Sequence, residues 1–267
     1  MASTPAARAE GSPNTSRRLV GKVALVTGGS SGIGLATVRR LVAEGCNVMT
    51  TARNTARAHS ALADLDAERA VFHHADVTDE TAVAGLVEAT VERFGRIDYL
   101  FNNAGVEGAV GPLAAWSADQ VDAVLSANVK GPILCMKHAA PRMDPGSMIV
   151  NNSSVLATIP VPGAAPYAAS KAALLSLTRS TAAELAERGI SVLAICPGVV
   201  DTPMMDRVSA AMGAPKAALA EFVSPGAGVL PADTVAELLA SLFAGDSSFD
   251  SGSALLIAAD TLQLIAV

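Results

Sequence analysis

The sequence predicts a doubly wound α/β fold, with a mostly parallel sheet of seven strands and helices on both faces. Two observations lead to it. From Leu19 onward, short runs rich in Val, Ile and Leu alternate with longer stretches rich in Ala, Glu and Leu. The short runs are almost continuously apolar, as strands are when a parallel sheet is covered on both sides. The chain has 267 residues, of which 51% are hydrophobic and 16% charged, enough to bury one large core without disulfides or metals.

Taken in order, residues 22–27 (KVALVT), 47–51, 70–74, 97–101, 147–151 and 191–196 read as strands, with a seventh entered after residues 250–254. Residues 32–44, 79–94, 117–142, 166–188 and 232–244 have helical length and composition. Residues 1–18, rich in Ser, Thr, Pro, Ala and Arg without apolar periodicity, are expected to be a disordered extension. Their arginines hint at a transit peptide, but Glu10 and the lack of an amphipathic face weaken that reading, and no secretory signal is present. No linker divides residues 19–267, so one catalytic domain is expected. Residues 203–231 differ in texture, with three methionines, several glycines and prolines, and read as a mobile helix-and-loop segment over a substrate.

Composition excludes several functions. A net charge of −6 lacks the basic stripe of a nucleic-acid surface. No apolar run reaches the roughly 18 residues of a membrane helix. Cys46, Cys135 and Cys196 are scattered in apolar segments, which points to reduced, buried thiols and a cytoplasmic location. The four histidines share no metal-ligand spacing with them, so no metal is expected.

The first strand runs into Thr27-Gly28-Gly29-Ser30-Ser31-Gly32-Ile33-Gly34 and then a helix. Glycines at a strand-to-helix turn let backbone N–H groups approach a pyrophosphate, and the helix N-terminus favours its charge. Tyr167 and Lys171 are four residues apart and share one face of a helix. A free phenol ionises near 10, and a neighbouring ammonium would lower that value towards useful proton transfer. Ser154 follows the fifth strand, where a hydroxyl can stabilise negative charge on a substrate oxygen, with Ser153 as the competing candidate. Asn128 sits inside a helix, a poor place for an asparagine.

These motifs together resemble the short-chain dehydrogenase/reductase family, in its single-domain branch, from about Leu19 to about Leu256. Five recur in order: TGGSSGIG at 27–34, Asp76-Val77, NNAG at 102–105, Tyr167-Ala-Ala-Ser-Lys171, and Pro197-Gly198 with Thr202. The resemblance implies a Rossmann-like fold and hydride transfer between a nicotinamide cofactor and a carbonyl or secondary alcohol. It makes Tyr167 the general acid/base, Ser154 its partner, and Lys171 a holder of the nicotinamide ribose. It assigns Asn128 to a backbone kink holding a water of a proton relay. Gly28, Ser30, Ser31, Gly32, Ile33 and Gly34 would cradle the cofactor. Asp76 with Val77 would meet the adenine, and Asn103 with Gly105 would lie beside the ribose, while Asn102 braces the sheet. Pro197, Gly198, Val200 and Thr202 would hold the carboxamide.

Cofactor choice turns on the end of the second strand. The family's acidic position falls on Ala52, and Arg53 follows, suited to a 2′-phosphate. NADP(H) is therefore favoured and NAD(H) possible, although Ser31 stands where NADP-specific relatives often carry a second basic residue. The alternative reading is an NAD-dependent dehydrogenase of a diol, sugar or steroid alcohol. A cofactor-binding regulator without turnover would lack Ser154, Tyr167 or Lys171, and all three are present. Val155, Leu156, Val161, Met204, Met205 and Met212 are candidate pocket residues for a fairly apolar ketone or alcohol, with Trp116 nearby or in the core. The family's association through its long helices implies a homodimer or homotetramer. Ala258-Ala259-Asp260, where relatives carry Asp-Gly-Gly, puts the tetramer in doubt.

Overall fold

Five consecutive buried residues, VALVT, form the first strand, β1 (Val23–Thr27). Ala24 and Val26 face one core and Leu25 the other, so the run is apolar on both faces, as predicted. The computed structural model describes residues 17–246, 249–258 and 261–265. The expected N-terminal extension falls mostly outside the described residues, as do residues 259 and 260.

After β1 come α1 (Gly32–Ala43), β2 (Asn47–Thr51), α2 (Thr55–Leu62), β3 (Ala70–Phe72), α3 (Glu80–Phe94) and β4 (Ile97–Asn102). Asp79 caps α3 by accepting from the N–H groups of Thr81 and Ala82, and Gly95 ends it at φ 82°. Then follow α4 (Ala118–Leu125), α5 (Gly131–Ala139), β5 (Met143–Asn152), α6 (Ala165–Leu185) and β6 (Ser191–Pro197). The chain continues through α7 (Pro203–Met212), α8 (Lys216–Val223), α9 (Ala232–Ala244), β7 (Ala254–Ala258) and β8 (Thr261–Ile265).

The sheet order is β3-β2-β1-β4-β5-β6-β7-β8. All neighbours are parallel except β7 and β8. The sheet thus has eight strands and not the expected seven, because the apolar tail folds back as an antiparallel hairpin on β7. Helices α1 and α9 supply Val38, Leu41, Leu239 and Phe243 to the core on one face. Helices α3 and α5 supply Val83, Leu86, Leu134 and Cys135 to the other.

The expected single helix over residues 117–142 is broken. A π turn at Ser126–Lys130 separates α4 from α5, closed by the Gly131 N–H donating to the Ser126 carbonyl. The cause is Pro132. It has no N–H to give the Asn128 carbonyl four residues back, so the α-helical ladder has to shift register there.

Residues 203–231 leave and rejoin the body at one point. Val200 and Leu230 form a parallel bridge, with the Leu230 N–H on the Val199 carbonyl and the Asp201 N–H on the Leu230 carbonyl, both at 2.8 Å. Between them stand α7, which buries no residue fully, and α8.

Candidate active site

The strand order reverses between β1 and β4, which opens a crevice at the carboxyl ends of the strands. A cavity of about 1130 Å³ occupies it, running from the glycine turn to α7 and α8.

At one end lies the β1–α1 turn. Gly28 and Gly32 adopt φ of 73° and 53°. The Gly28 N–H donates to the Thr51 carbonyl at 2.8 Å, tying the turn to β2. Ser31, the N-cap of α1, makes no side-chain hydrogen bond to the helix amides, which leaves that end without the usual side-chain acceptor. Gly34 permits a close approach of α1 to the turn. A Cβ there would stand 2.3 Å from the Gly28 carbonyl oxygen and 2.5 Å from Asn103 Nδ2. Gly28, Ser30, Ser31, Gly32 and Ile33 line the cavity.

The rim beyond β2 carries Ala52, Arg53, Asn54, Thr55 and Arg57. Arg53 is exposed. Arg57, one turn along on α2, joins it, and the sequence reading missed it because the short polar helix α2 was not foreseen. Asn54 caps that helix by accepting from the Arg57 N–H at 2.8 Å.

Asp76 and Val77 line the same wall. Asp76 Oδ1 accepts from both the N–H and the hydroxyl of Thr78 at 2.9 Å. Asn103 donates to the Thr27 carbonyl at 2.8 Å and accepts from Asn152 Nδ2 at 3.0 Å, so its amide locks β4 to β1 and β5. Asn102 donates to Asn151 Oδ1 at 2.8 Å inside the sheet. Gly105 is also required by space, since a Cβ there would meet Asn128 Oδ1 at 2.8 Å.

At the centre stand Ser154, Tyr167 and Lys171, all lining the cavity. Lys171 is only 5% exposed, and its ammonium donates to the Asn152 carbonyl at 2.7 Å. Its Nζ lies 5.5 Å from the Tyr167 ring centroid. Burial pushes Lys171 down to about 8. Burial also pushes the Tyr167 phenol up, to about 12, with the Glu107 carboxylate adding to the rise and the Ser154 hydroxyl opposing it. Burial and the Glu107 carboxylate thus act against the lowering that a neighbouring ammonium would give.

The two serines divide their tasks. Ser153 donates to the Lys171 carbonyl at 2.8 Å and so ties β5 to α6. Ser154 caps a short 3-10 turn, accepting from the Leu156 N–H at 3.2 Å, with its hydroxyl beside Tyr167. Asn128 pins the loop after β4. Its Oδ1 accepts from the Val106 N–H at 2.8 Å, and its Nδ2 donates to the Val106 carbonyl and to Ser170 Oγ.

Pro197, Gly198, Val200 and Thr202 line the floor before α7. Thr202 donates to the Val200 carbonyl at 3.2 Å and caps α7 through the Met205 N–H. The far end is apolar, with Leu156, Val161, Met204, Met205 and Met212 from the expected set and Val208 and Phe222 besides. Val155 is a correction: it is 5% exposed, packed inward, and does not line the cavity. Trp116 packs against Gly108 and donates to the Gly111 carbonyl, bracing the loop. Among the described residues no helix is long and apolar enough to cross a membrane.

Comparison with known proteins agrees with this arrangement. The family model for short chain dehydrogenase matches residues 22–213. Momilactone A synthase of Oryza sativa subsp. japonica is 36% identical over 244 residues, covering 88% of each chain. Levodione reductase of Leifsonia aquatica is 37% identical over 251 residues, 90% of this chain and 93% of that one. A short chain dehydrogenase from Burkholderia cenocepacia, solved in complex with NADP, superposes with a TM-score of 0.78 at 36% identity, over 91% of this chain and 98% of that one. The chain belongs to the short-chain dehydrogenase/reductase family. It is an NAD(P)-dependent oxidoreductase of alcohols and ketones.

Proposed function

We propose that the protein is an NADP(H)-dependent reductase that interconverts an apolar ketone and its secondary alcohol, with Tyr167 as the general acid/base. One observation carries the reading. A single cleft has Ser154, Tyr167 and Lys171 at its centre and Arg53 with Arg57, but no carboxylate at position 52, at its rim.

The residues present fit a dinucleotide. The uncapped N-terminus of α1 and the glycine turn suit a pyrophosphate, and the two arginines suit a further phosphate. The complex of the Burkholderia relative with NADP supports the same choice. The bound cofactor gives or takes the hydride.

The protein's part is protonic and positional. A phenol held near 12 is protonated at neutral pH, the form that donates to a carbonyl oxygen during reduction. Ser154 shares that oxygen through its hydroxyl and stabilises the charge growing on it. Lys171, fixed by the Asn152 carbonyl, presents an ammonium near the Tyr167 ring and would hold the ribose of a bound cofactor. Asn128 holds the loop and, through Ser170, the first turn of α6, since Ser170 donates to the Tyr167 carbonyl at 2.6 Å. The carbonyl of Asn128, deprived of an α-helical partner by Pro132, is the group suited to hold a water of a proton relay.

We assign residues 19–267 to one catalytic domain, with α7 and α8 as its substrate segment. A homo-oligomer, at least a dimer, completes the reading, and a monomer by light scattering at micromolar concentration would contradict it. The test of function is a panel of ketones and secondary alcohols, read by nicotinamide absorbance with both cofactors. Turnover confined to NAD(H) would favour the alternative, a dehydrogenase of a diol, sugar or steroid alcohol.

A further inference from the structure

Four basic side chains line the cavity among the described residues: Arg53, Arg57, Lys171 and Arg207. The first two stand at the rim beyond β2 and the third at the reaction centre. Arg207, on α7, belongs to the apolar end, among Leu156, Met204, Met205 and Val208. It does not face that end with a free charge. Its Nε donates to Glu107 Oε1 and its Nη2 to Glu107 Oε2 at 3.1 Å, a two-point pair between residues 100 apart in sequence. Glu107 is the more buried partner, its side chain 17% exposed against 59% for Arg207. Lys216, the other cation of this segment, is spent on Asp201 and Asp206.

We propose that Glu107 is a specificity-determining residue: by pairing with Arg207 it cancels the fixed positive charge at the apolar end of the cleft, so that the cleft takes uncharged ketones and alcohols and turns away carboxylates. The inference rests on the reading of this cleft as a ketone and alcohol site. An unpaired guanidinium among apolar walls would recognise a carboxylate through two parallel hydrogen bonds. Glu107 already occupies that fork. An incoming substrate anion has to displace a built-in carboxylate and lie beside its charge, which is the repulsive half of selectivity. The same pair ties α7 to the loop after β4. Among the described residues it is the ion pair that joins α7 to the loop after β4, whereas Lys216 pairs with Asp201 and Asp206. The Glu107 charge also raises the Tyr167 phenol, so the two ends of the cleft are electrostatically linked.

The experiment compares levulinate, a ketone with a carboxylate, and methyl levulinate, its uncharged ester. Both are titrated by calorimetry into the protein with and without NADP⁺, and both are assayed for turnover. Glu107→Gln keeps the shape and removes the anion. It should raise the affinity for levulinate relative to the ester about tenfold, the effect of one charge-assisted contact at a partly exposed site. Adding Arg207→Gln should abolish that gain. Arg207→Gln alone should lower the levulinate-to-ester ratio below that of the wild type, because Glu107 is then unbalanced. A ratio in Glu107→Gln within twofold of the wild type, no measurable levulinate binding to that variant, or a gain that survives the loss of Arg207 overturns the proposal. If the wild type turns over no neutral ketone with either cofactor, the functional reading fails, while the binding ratios still decide what Glu107 does.

Discussion

The Lys171 ammonium donates to the carbonyl oxygen of Asn152 at 2.7 Å, so the end of β5 holds the charge that α6 carries. The ring of Tyr167, one helical turn earlier, lies 5.5 Å from that Nζ. Burial pushes that phenol up to about 12, so the proposed role of Tyr167 starts from its protonated form. Tyr167→Phe keeps the ring and removes the proton. Turnover is expected to fall by about a hundredfold or more, while cofactor binding, followed by fluorescence, persists. Turnover within threefold of the wild type would remove Tyr167 from this role.

Arg53 stands exposed at the rim with Arg57 one turn away. Arg53→Ala should weaken NADP(H) about tenfold and spare NAD(H), a charge-assisted bond reduced by solvent. Ala52→Asp combined with Arg53→Ala should reverse the preference, because the new carboxylate accepts from a ribose hydroxyl and repels a phosphate. The measurement is kcat/KM with each cofactor. A wild type that already prefers NAD, or a ratio unmoved by Arg53→Ala, would refute the assignment.

Gly34 lies within a helix and carries no unusual φ, so its requirement is one of space. A methyl group would run into the Gly28 carbonyl and the Asn103 amide. Gly34→Ala should push α1 off the turn, costing about 1–3 kcal/mol as overpacking does. Thermal melting with and without cofactor checks it. A variant with unchanged melting temperature and unchanged cofactor affinity would show that the turn relaxes freely.

Cys135 is 1% exposed, and burial alone pushes its thiol up to about 12 from 9.0. The unfolded thiol begins to ionise near 9 while the folded one keeps its proton, so the unfolded state binds fewer protons above that pH. The wild type therefore loses stability from this residue as pH rises from 9 towards 12. Cys135→Ala should cost about 1 kcal/mol at pH 8, and the deficit should shrink by about 1 kcal/mol at pH 10. Urea midpoints at the two pH values decide it. A deficit independent of pH would mean that the thiol ionises alike in both states.

Much of this was legible in the sequence, for a physical reason. A strand buried on both faces, such as Val23–Thr27, needs apolar residues at every position, and that run is visible without a structure. Helix α2 was hidden because it is only eight residues long and buries only Ala58 and Leu62, too few to set up an apolar period. The kink at Asn128 was expected through the family resemblance, and Pro132, four residues on, accounts for it locally. Strand β8 was not foreseen, because a short apolar run at the chain end gives no sign of whether it pairs with its own sheet, as it does with β7. The site divides the same way. Ser154, Tyr167 and Lys171 sit close together in the chain and announce themselves. Arg57 and Glu107 acquire meaning only when segments distant in sequence meet, as Glu107 meets Arg207 across the cleft.

The bridge between Val200 and Leu230 makes the intervening stretch a cassette. Its two ends are held side by side in the folded protein, so lengthening it costs little additional closure entropy. Its helices can be exchanged without disturbing the register of β6 or the turn that follows it. A new segment could be grafted between these two joined ends, provided that it keeps a partner for Glu107, whose charge reaches Tyr167.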